Sequence, residues 1–360
     1  MKRSIDELLL EAQKRKASDL HLTVGLPPKV RVNGDLDNLD QEVLTPADIE
    51  EIVLPMVPPR LSDILNTCGE VDFSYAIKNV GRFRVNLFRQ RGSYAMVIRI
   101  IYTIIPDPEE LGIPQSVQEL TRKKQGMILV TGPTGSGKST TLASLIDMIN
   151  TNSNSHIITL EDPIEYLHKH KNSIVNQREI GTDSLSFSNA MGVVLREDPD
   201  VILISEMRDY ETIKVAIAAA ETGHLVLSSL PTSGAVNTIE RIIDVFPPHQ
   251  QQQIRVQLAA VLDGVISQQL IPSTDGSSRV AAFEVMLSNP AVRSLIRDGK
   301  IHQIGNYMQN NKKSGMKMMD DAIYELYLFG KITKEQALSF SMDVPAMEKK
   351  LFYYVKDDAL

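Results

Sequence analysis

The 360-residue chain has a single cysteine, Cys68, which excludes an internal disulfide and a cysteine-based zinc site. A packed or half-buried thiol is the expectation for it. No apolar run is long enough to cross a membrane; the nearest, 96–105, is short and interrupted by Arg99. The first 16 residues carry charges through their apolar stripe, unlike a signal peptide. A cytoplasmic protein is expected, one that can still dock on a membrane partner. Positive charge is not in excess either: 38 Lys and Arg stand against 45 Asp and Glu, a net charge of −7. That balance argues against a dedicated nucleic-acid binder. There is no internal repeat. What remains, 42% hydrophobic and 23% charged residues, is an ordinary globular composition, and the length suggests two domains.

The most informative stretch is MILVTGPTGSGKSTTL, 127–142. Four apolar residues and a threonine lead into a glycine-rich loop that continues into a helical pattern. Gly132, Pro133, Thr134, Gly135, Ser136, Gly137, Lys138 and Ser139 fit the P-loop pattern G-x-x-x-x-G-K-[ST], with Thr140 following. Glycines at 132, 135 and 137 allow a tight turn whose N–H groups converge on a phosphate. The helix behind it adds its free amides and the positive end of its dipole. Lys138 is then placed for the β- and γ-phosphates of ATP, and the Ser139 hydroxyl for Mg²⁺. A plain glycine-rich turn would share the composition, but not the order strand, full motif, helix.

Ahead of this motif, 4–17 has helical spacing, with Ile5, Leu8, Leu9 and Ala12 on one stripe. Alternation at Leu20, Leu22 and Val24, then Val30 and Val32 before Asn33-Gly34, reads as two short strands and a hairpin turn. Thr45-Pro46 starts a helix that Pro58-Pro59 closes. Strands are expected through 70–102, with a turn at Asn79 to Gly81. Within them Arg82, Arg84 and Asn86 share one face, and Phe83, Val85 and Leu87 the other. That arginine face is either simply solvated or functional. Three prolines between 106 and 114 mark a domain boundary.

Beyond it the rhythm is helix, strand, P-loop, helix, strand. Apolar runs at 127–130, 157–160, 201–204 and 224–227 alternate with helical stretches, as in a sheet covered on both faces. Residues 247–271 read as one long helix, 279–287 as a strand, and 289–342 as helices broken at Gly299, Gly315 and Gly330. The tail after Asp343 has no clear period. The expected domains are 1–103, a linker at 104–115, an ATPase core at 116–288, a helical region at 289–345 and a tail at 346–360.

Hydrolysis needs a positioned water and positive charge at the γ-phosphate. Glu206 follows the apolar run VILIS, where a Walker B acid belongs, and Glu161-Asp162 ends the run HIITL. Each would otherwise be a turn or capping carboxylate; two acids at matching strand ends favour the functional reading. Ser205 stands before Glu206, so metal binding is expected to rest on Ser139, the phosphates and water, with Glu206 and Glu161 reaching Mg²⁺ through water.

GPTGSGKSTT, LEDPIE at 160–165 and LREDPDVILISEMRD at 195–209 resemble the secretion ATPases of type II secretion and type IV pili. SDLHL at 18–22, GLPPKVRVNGDL at 25–36, RFRVNLFRQ at 82–90 and AVRSLIRDGK at 291–300 resemble the pilus retraction branch of that superfamily. The resemblance implies an α/β protein: an N-terminal PAS-like α+β domain, then a RecA-like P-loop domain with a helical C-terminal part. It implies a homohexamer that hydrolyses ATP with Mg²⁺. It also implies work on the pilus machinery through an inner-membrane platform protein, at the inner face of the cytoplasmic membrane and without nucleic acid. By the same resemblance Glu206 is the catalytic glutamate, Glu161 lies in the Asp box and His224 in the His box. Arg82 and Arg84 would neutralise the phosphates, with Arg89 a weaker candidate, and the 291–300 helix would serve retraction.

Two positions depart from that pattern. The His box, similar to GHLVxxTLHT, reads GHLVLSSLPT here, with Pro231 at its second histidine. Proline has no ring nitrogen and no N–H, so any hydrogen bond from that position is lost. Ser205 stands where the family has glycine. Slower but real hydrolysis is expected. Three alternatives remain: an assembly or secretion ATPase of the superfamily, though those carry a longer N-terminus and often a four-cysteine insertion; a nucleotide-binding ring subunit that hardly turns over; and a DNA-dependent motor, disfavoured by the acidic balance.

Overall fold

The computed structural model describes residues 3–32, 34–78, 80–101, 104–276 and 278–357. The turn residues Asn33 and Asn79, and Tyr102 and Thr103 at the expected boundary, lie outside them. The chain divides into two compact units, Met1–Ile104 with Pro163–Leu167, and Ile105–Asp162 with His168–Leu360.

In the first unit, α1 (Ile5–Lys14) starts at a capping box: the Ser4 hydroxyl accepts from Glu7 N, and the Glu7 carboxylate accepts from Ser4 N at 2.8 Å. Then come β1 (Asp19–Leu22), β2 (Lys29–Val32), β3 (Asp35–Asn38) and α2 (Pro46–Val53). Thr45 and Asp48 form a second capping box around α2, with Pro46 at the first position. The unit closes with α3 (Ser62–Cys68), β4 (Glu70–Ile77), β5 (Gly81–Gln90) and β6 (Ser93–Ile100). All six strands form one antiparallel sheet, β3-β2-β1-β6-β5-β4. Two strands were expected before α2 and there are three. Strand β3 is exposed throughout and so lacks the apolar alternation that would reveal it. Phe83, Val85 and Leu87 face the core under α1 and α2, which leaves Arg82, Arg84 and Asn86 on the opposite face. Cys68 is exposed at the end of α3, not packed as expected; the following turn, with Gly69 at φ 83°, leaves the last helical residue uncovered.

The second unit is built on a seven-stranded sheet, β13-β12-β7-β11-β10-β8-β9. Its strands are β7 (Gly126–Thr131), β8 (His156–Glu161), β9 (Ile174–Glu179), β10 (Val201–Ile204), β11 (Leu225–Leu230), β12 (Leu262–Pro272) and β13 (Arg279–Leu287). All pairs are parallel except β12 with the edge strand β13. Residues of β7 alternate between two cores, Met127 and Leu129 to one side and Ile128 and Val130 to the other. Coverage on both faces explains why this strand reads as a continuous apolar run.

After the short α4 (Gln115–Gln118), helix α5 (Lys138–Asn152) buries Leu142, Leu145, Ile146 and Ile149 against one face. Removing one of these leucines to alanine would cost about 2–5 kcal/mol. Helices α6 (Phe187–Val194), α7 (Tyr210–Glu221), α8 (Ala235–Asp244) and α9 (Pro248–Val261) cover the other face. The remaining helices are α10 (Pro290–Arg297), α11 (Ile304–Asn310), α12 (Met319–Leu328), α13 (Lys334–Phe340) and α14 (Val344–Asp357).

Three elements depart from expectation here. The single helix expected over 247–271 is a helix to Val261 and then strand β12, which pairs with β7 through an irregularity at Leu262/Gly264. A Cβ at Gly264 would lie 2.7 Å from Leu120 Cδ1 and 3.3 Å from the Met286 carbonyl oxygen, so glycine lets the chain enter the sheet there without displacing Leu120. Strand β9 was not anticipated. The tail is helical, with Met347 and Leu351 one turn apart and buried.

Candidate functional site

Strand β7 delivers the chain to the carboxyl edge of the sheet, where ligands bind in open α/β folds. The loop that follows has Gly132 at φ 143°, Gly135 at 81° and Gly137 at 87°; the pattern requires the first and third, and Gly135 adds another left-handed residue between them. Gly132 N donates to Leu230 O at 3.3 Å, which pins the loop to the end of β11, and Ser136 N donates to Pro133 O at 3.2 Å. Pro133, Thr134 and Gly135 are exposed at the tip. Gly137 is the N-cap of α5, whose ladder begins with Thr141 N to Gly137 O at 3.0 Å. The amides of Lys138, Ser139 and Thr140 therefore precede the ladder, at the positive end of the dipole.

Lys138 Nζ lies across the loop, 2.9 Å from Gly132 O and 3.1 Å from Pro133 O. Those carbonyls occupy donors that a phosphate would take. The Thr131 and Ser136 hydroxyls are buried in the same loop without a protein partner. An oxyanion seated there would supply the missing acceptors, so the loop residues fit a phosphate.

The acids lie along the same edge. Leu160, Ile204 and Ser228 share a register with Leu129 across β8, β10, β11 and β7. Glu161 ends β8, and Glu206 lies two residues beyond the end of β10. At ~4.8 Å per strand, Glu206 stands about 10 Å to the side of β7 and Glu161 about 14 Å. Glu206 thus follows the strand nearer to β7 of the two. Its Oε2 accepts from Arg208 Nη2 at 3.0 Å. Glu161 is buried, and its Oε1 accepts from Thr159 Oγ1 at 2.6 Å and Gln177 Nε2 at 3.0 Å. Gln177 also accepts from His168 N at 2.8 Å. His168 is half-buried, with its Nδ1 out of reach of solvent, and desolvation lowers its pKa to about 4. The roles of Arg208, Thr159 and Gln177 were not anticipated; nothing in their spacing signals them.

His224 lies at the other end of the sheet. It precedes β11, and its carbonyl accepts from Gly126 N at 3.1 Å, which places it at the amino edge of the sheet. Pro231 is seven positions further on, across the six residues of β11, about 23 Å away. Its Nδ1 sits 3.0 Å from Ala219 O at the end of α7, where it caps a helix and does not line the loop of its own chain. The motif position at the loop is Pro231, directly after the Leu230 carbonyl that holds Gly132. Ser205 N donates to Leu160 O at 2.9 Å, and its carbonyl accepts from Ser229 Oγ at 2.5 Å.

Arg82 and Arg84 belong to the first unit. Arg84 Nη2 lies 3.8 Å from Asp72 Oδ2, both of them solvent-accessible. Arg89 reaches Tyr94 Oη at 2.9 Å.

Beside the first turn of α5 is a cavity of about 390 Å³. Thr140, Thr141 and Gln268 line it on the loop side, and Leu326 and Phe329 of the α12 end on the other. Gln268 Oε1 accepts from Thr141 Oγ1 at 2.7 Å. No helix among the described residues is long and apolar enough to cross a membrane.

A twitching motility protein of Neisseria gonorrhoeae is 46% identical over 310 residues, 86% of this chain and 83% of its own length. PilT of Pseudomonas aeruginosa, a type IV pilus retraction ATPase, is 43% identical over 333 residues, 92% of this chain and 96% of its own. The crystal structure of the pilus retraction motor PilT with bound ADP matches with a TM-score of 0.90 at 48% identity, over 97% of this chain and 100% of that one. Residues 1–316 match the family of type II/IV secretion system proteins. With a P-loop at the carboxyl edge of a parallel sheet and two acids beside it, the chain belongs to that family, as an α/β protein of the PilT retraction-ATPase type.

Proposed function

We propose that this protein is an ATPase motor that drives retraction of a type IV pilus. The observation that carries the reading is the alignment of loop 132–140, Glu206 and Glu161 on one sheet edge. The loop amides and Lys138 grip the β- and γ-phosphates, and adenosine occupies the cavity beside α5. Ser139 would hold Mg²⁺ with the phosphates and water, Glu206 and Glu161 acting through water; the ion supplies charge neutralisation at the leaving oxygens. Glu206 exchanges Arg208 for the attacking water and orients it in line with the γ-phosphorus. The bond between that phosphorus and the β,γ-bridging oxygen breaks, and ADP and phosphate leave. Arg82 and Arg84 add positive charge from the N-terminal domain.

The motor is a homohexamer working from the cytoplasmic face of the inner membrane, against a platform protein of the pilus machinery. The likeness to PilT and to the gonococcal twitching protein over most of both chains supports retraction over assembly. Pro231 beside the loop supports a slow cycle. Expression in a piliated bacterium lacking its own retraction ATPase is expected to restore twitching, and Lys138→Ala to abolish the rescue. No rescue of twitching there, together with restored piliation in a strain lacking its assembly ATPase, would favour the assembly reading.

A further inference from the structure

Among the buried carboxylates that have no part in the mechanism above, one bridges two helices. Glu284, on the edge strand β13, is 7% exposed. Its Oε1 accepts from Ala235 N at 2.8 Å and its Oε2 from Met319 N at 3.3 Å. These are the first amides of α8 and α12, so one side chain caps two helices from different parts of the chain. Burial raises its pKa and the two amides pull in the opposite direction.

What the two helices carry makes the bridge interesting. Helix α8 follows the 231–234 segment, which begins after Leu230, the residue holding Gly132 of the P-loop. Gly234 N donates to Ser267 Oγ at 2.9 Å, and Ser267 is the cross-strand partner of both Glu284 and Thr131. Two successive amides of that turn are therefore held by neighbouring side chains level with the end of β7. Helix α12 forms the far wall of the cavity beside α5, through Ala322, Glu325 and Leu326. Its Asp320 in turn accepts from Met342 N and Asp343 N, ahead of α14.

We propose that Glu284 is a positioning residue that couples the cavity wall on α12 to the 231–234 turn beside the P-loop. A ligand in the cavity that shifts α12 thereby resets the turn at the γ-phosphate end. This rests on the reading that loop and cavity together take a nucleotide. A carboxylate can accept from both amides, whereas a carboxamide offers one oxygen and turns an N–H toward the other amide. Glu284→Gln therefore cuts one arm while keeping the volume. Met319→Pro cuts the α12 arm from the other side: proline is tolerated at a first helical position, and Met318, at ψ 152°, suits a following proline, while loss of the buried Met319 side chain lowers stability by about 2–5 kcal/mol without touching the cavity.

The test is hydrogen exchange of the full chain with and without ADP, together with steady-state ATP hydrolysis. In the wild type, ADP is expected to slow exchange in 132–141, 231–235 and 319–328 together. In either variant, protection of 132–141 and 319–328 remains and that of 231–235 is lost. The turnover number falls about tenfold, while KM stays within about twofold. A merely structural role would lower the melting temperature without splitting turnover from KM. Joint protection of all three segments in both folded variants, with unchanged turnover, would overturn the coupling alone. If ADP leaves 132–141 unprotected in the wild type, the nucleotide site itself falls, and the coupling with it. Should Glu284→Gln fail to fold, Met319→Pro decides.

Discussion

Replacing Gly132 with alanine puts a methyl group where the P-loop leaves the sheet. A Cβ there would lie 2.3 Å from the Gln268 backbone oxygen and 2.6 Å from Ser136 Oγ. The hydroxyl can rotate away, but the carbonyl is part of β12 and cannot. A normal contact needs about 1 Å more, and a φ of 143° adds roughly 1–3 kcal/mol of strain for a residue with a side chain. The loop must move by that ångström, and displacements of this size cost about a hundredfold in aligned interactions. ADP titration calorimetry is therefore expected to show about a hundredfold weaker binding, near 2.8 kcal/mol. Gly69→Ala is the control, with φ 83° and nothing within 4 Å of the added carbon. It should lose about 1–2 kcal/mol of stability to backbone strain and bind ADP normally. Gly132→Ala binding ADP within threefold of wild type would refute the reasoning.

The remaining expectations concern His168, the altered His box and Arg84. His168, with its pKa lowered from 6.5 to about 4, is neutral in the fold and protonates more readily in the unfolded chain. Its contribution is fully present above pH 6.5 and falls by about 3 kcal/mol as pH drops toward 4. Urea titrations against pH should show that slope in the wild type and not in His168→Gln, and an equal slope in both would contradict it. Pro231→His restores a donor beside Gly132 and is expected to raise the turnover number severalfold; no gain in a phosphate-release assay would remove proline as the cause of a slow cycle. Arg84→Ala is expected to lower hydrolysis about tenfold, the loss of one charge-assisted contact to a phosphate. Unchanged turnover would return that strand face to simple solvation.

What was legible in the chain is what contiguous residues encode. The P-loop needs a fixed spacing over eight positions, and its glycines took the positive φ angles that the spacing implied. Glu206 and Glu161 could be found because each ends an apolar run. Gln177, which holds Glu161, could not, because it comes from β9; nor could Gln268 and Glu284, which come from β12 and β13, strands that meet the site only through sheet pairing. Strand β12 was read as helix because a strand buried on both faces has no alternation to show. For His224 the spacing does not tell where in the sheet the residue lies. Seven residues in a motif look close, but on a strand they reach from one edge of the sheet to the other.

The central claim is that Glu206 acts on a triphosphate held by loop 132–140. Single-turnover hydrolysis by Glu206→Gln, with ATP affinity measured on the same sample, tests it most directly. The account predicts that the chemical step slows at least a hundredfold while ATP still binds within about twofold of wild type. A Glu206→Gln protein that cleaves bound ATP at the wild-type rate would contradict it.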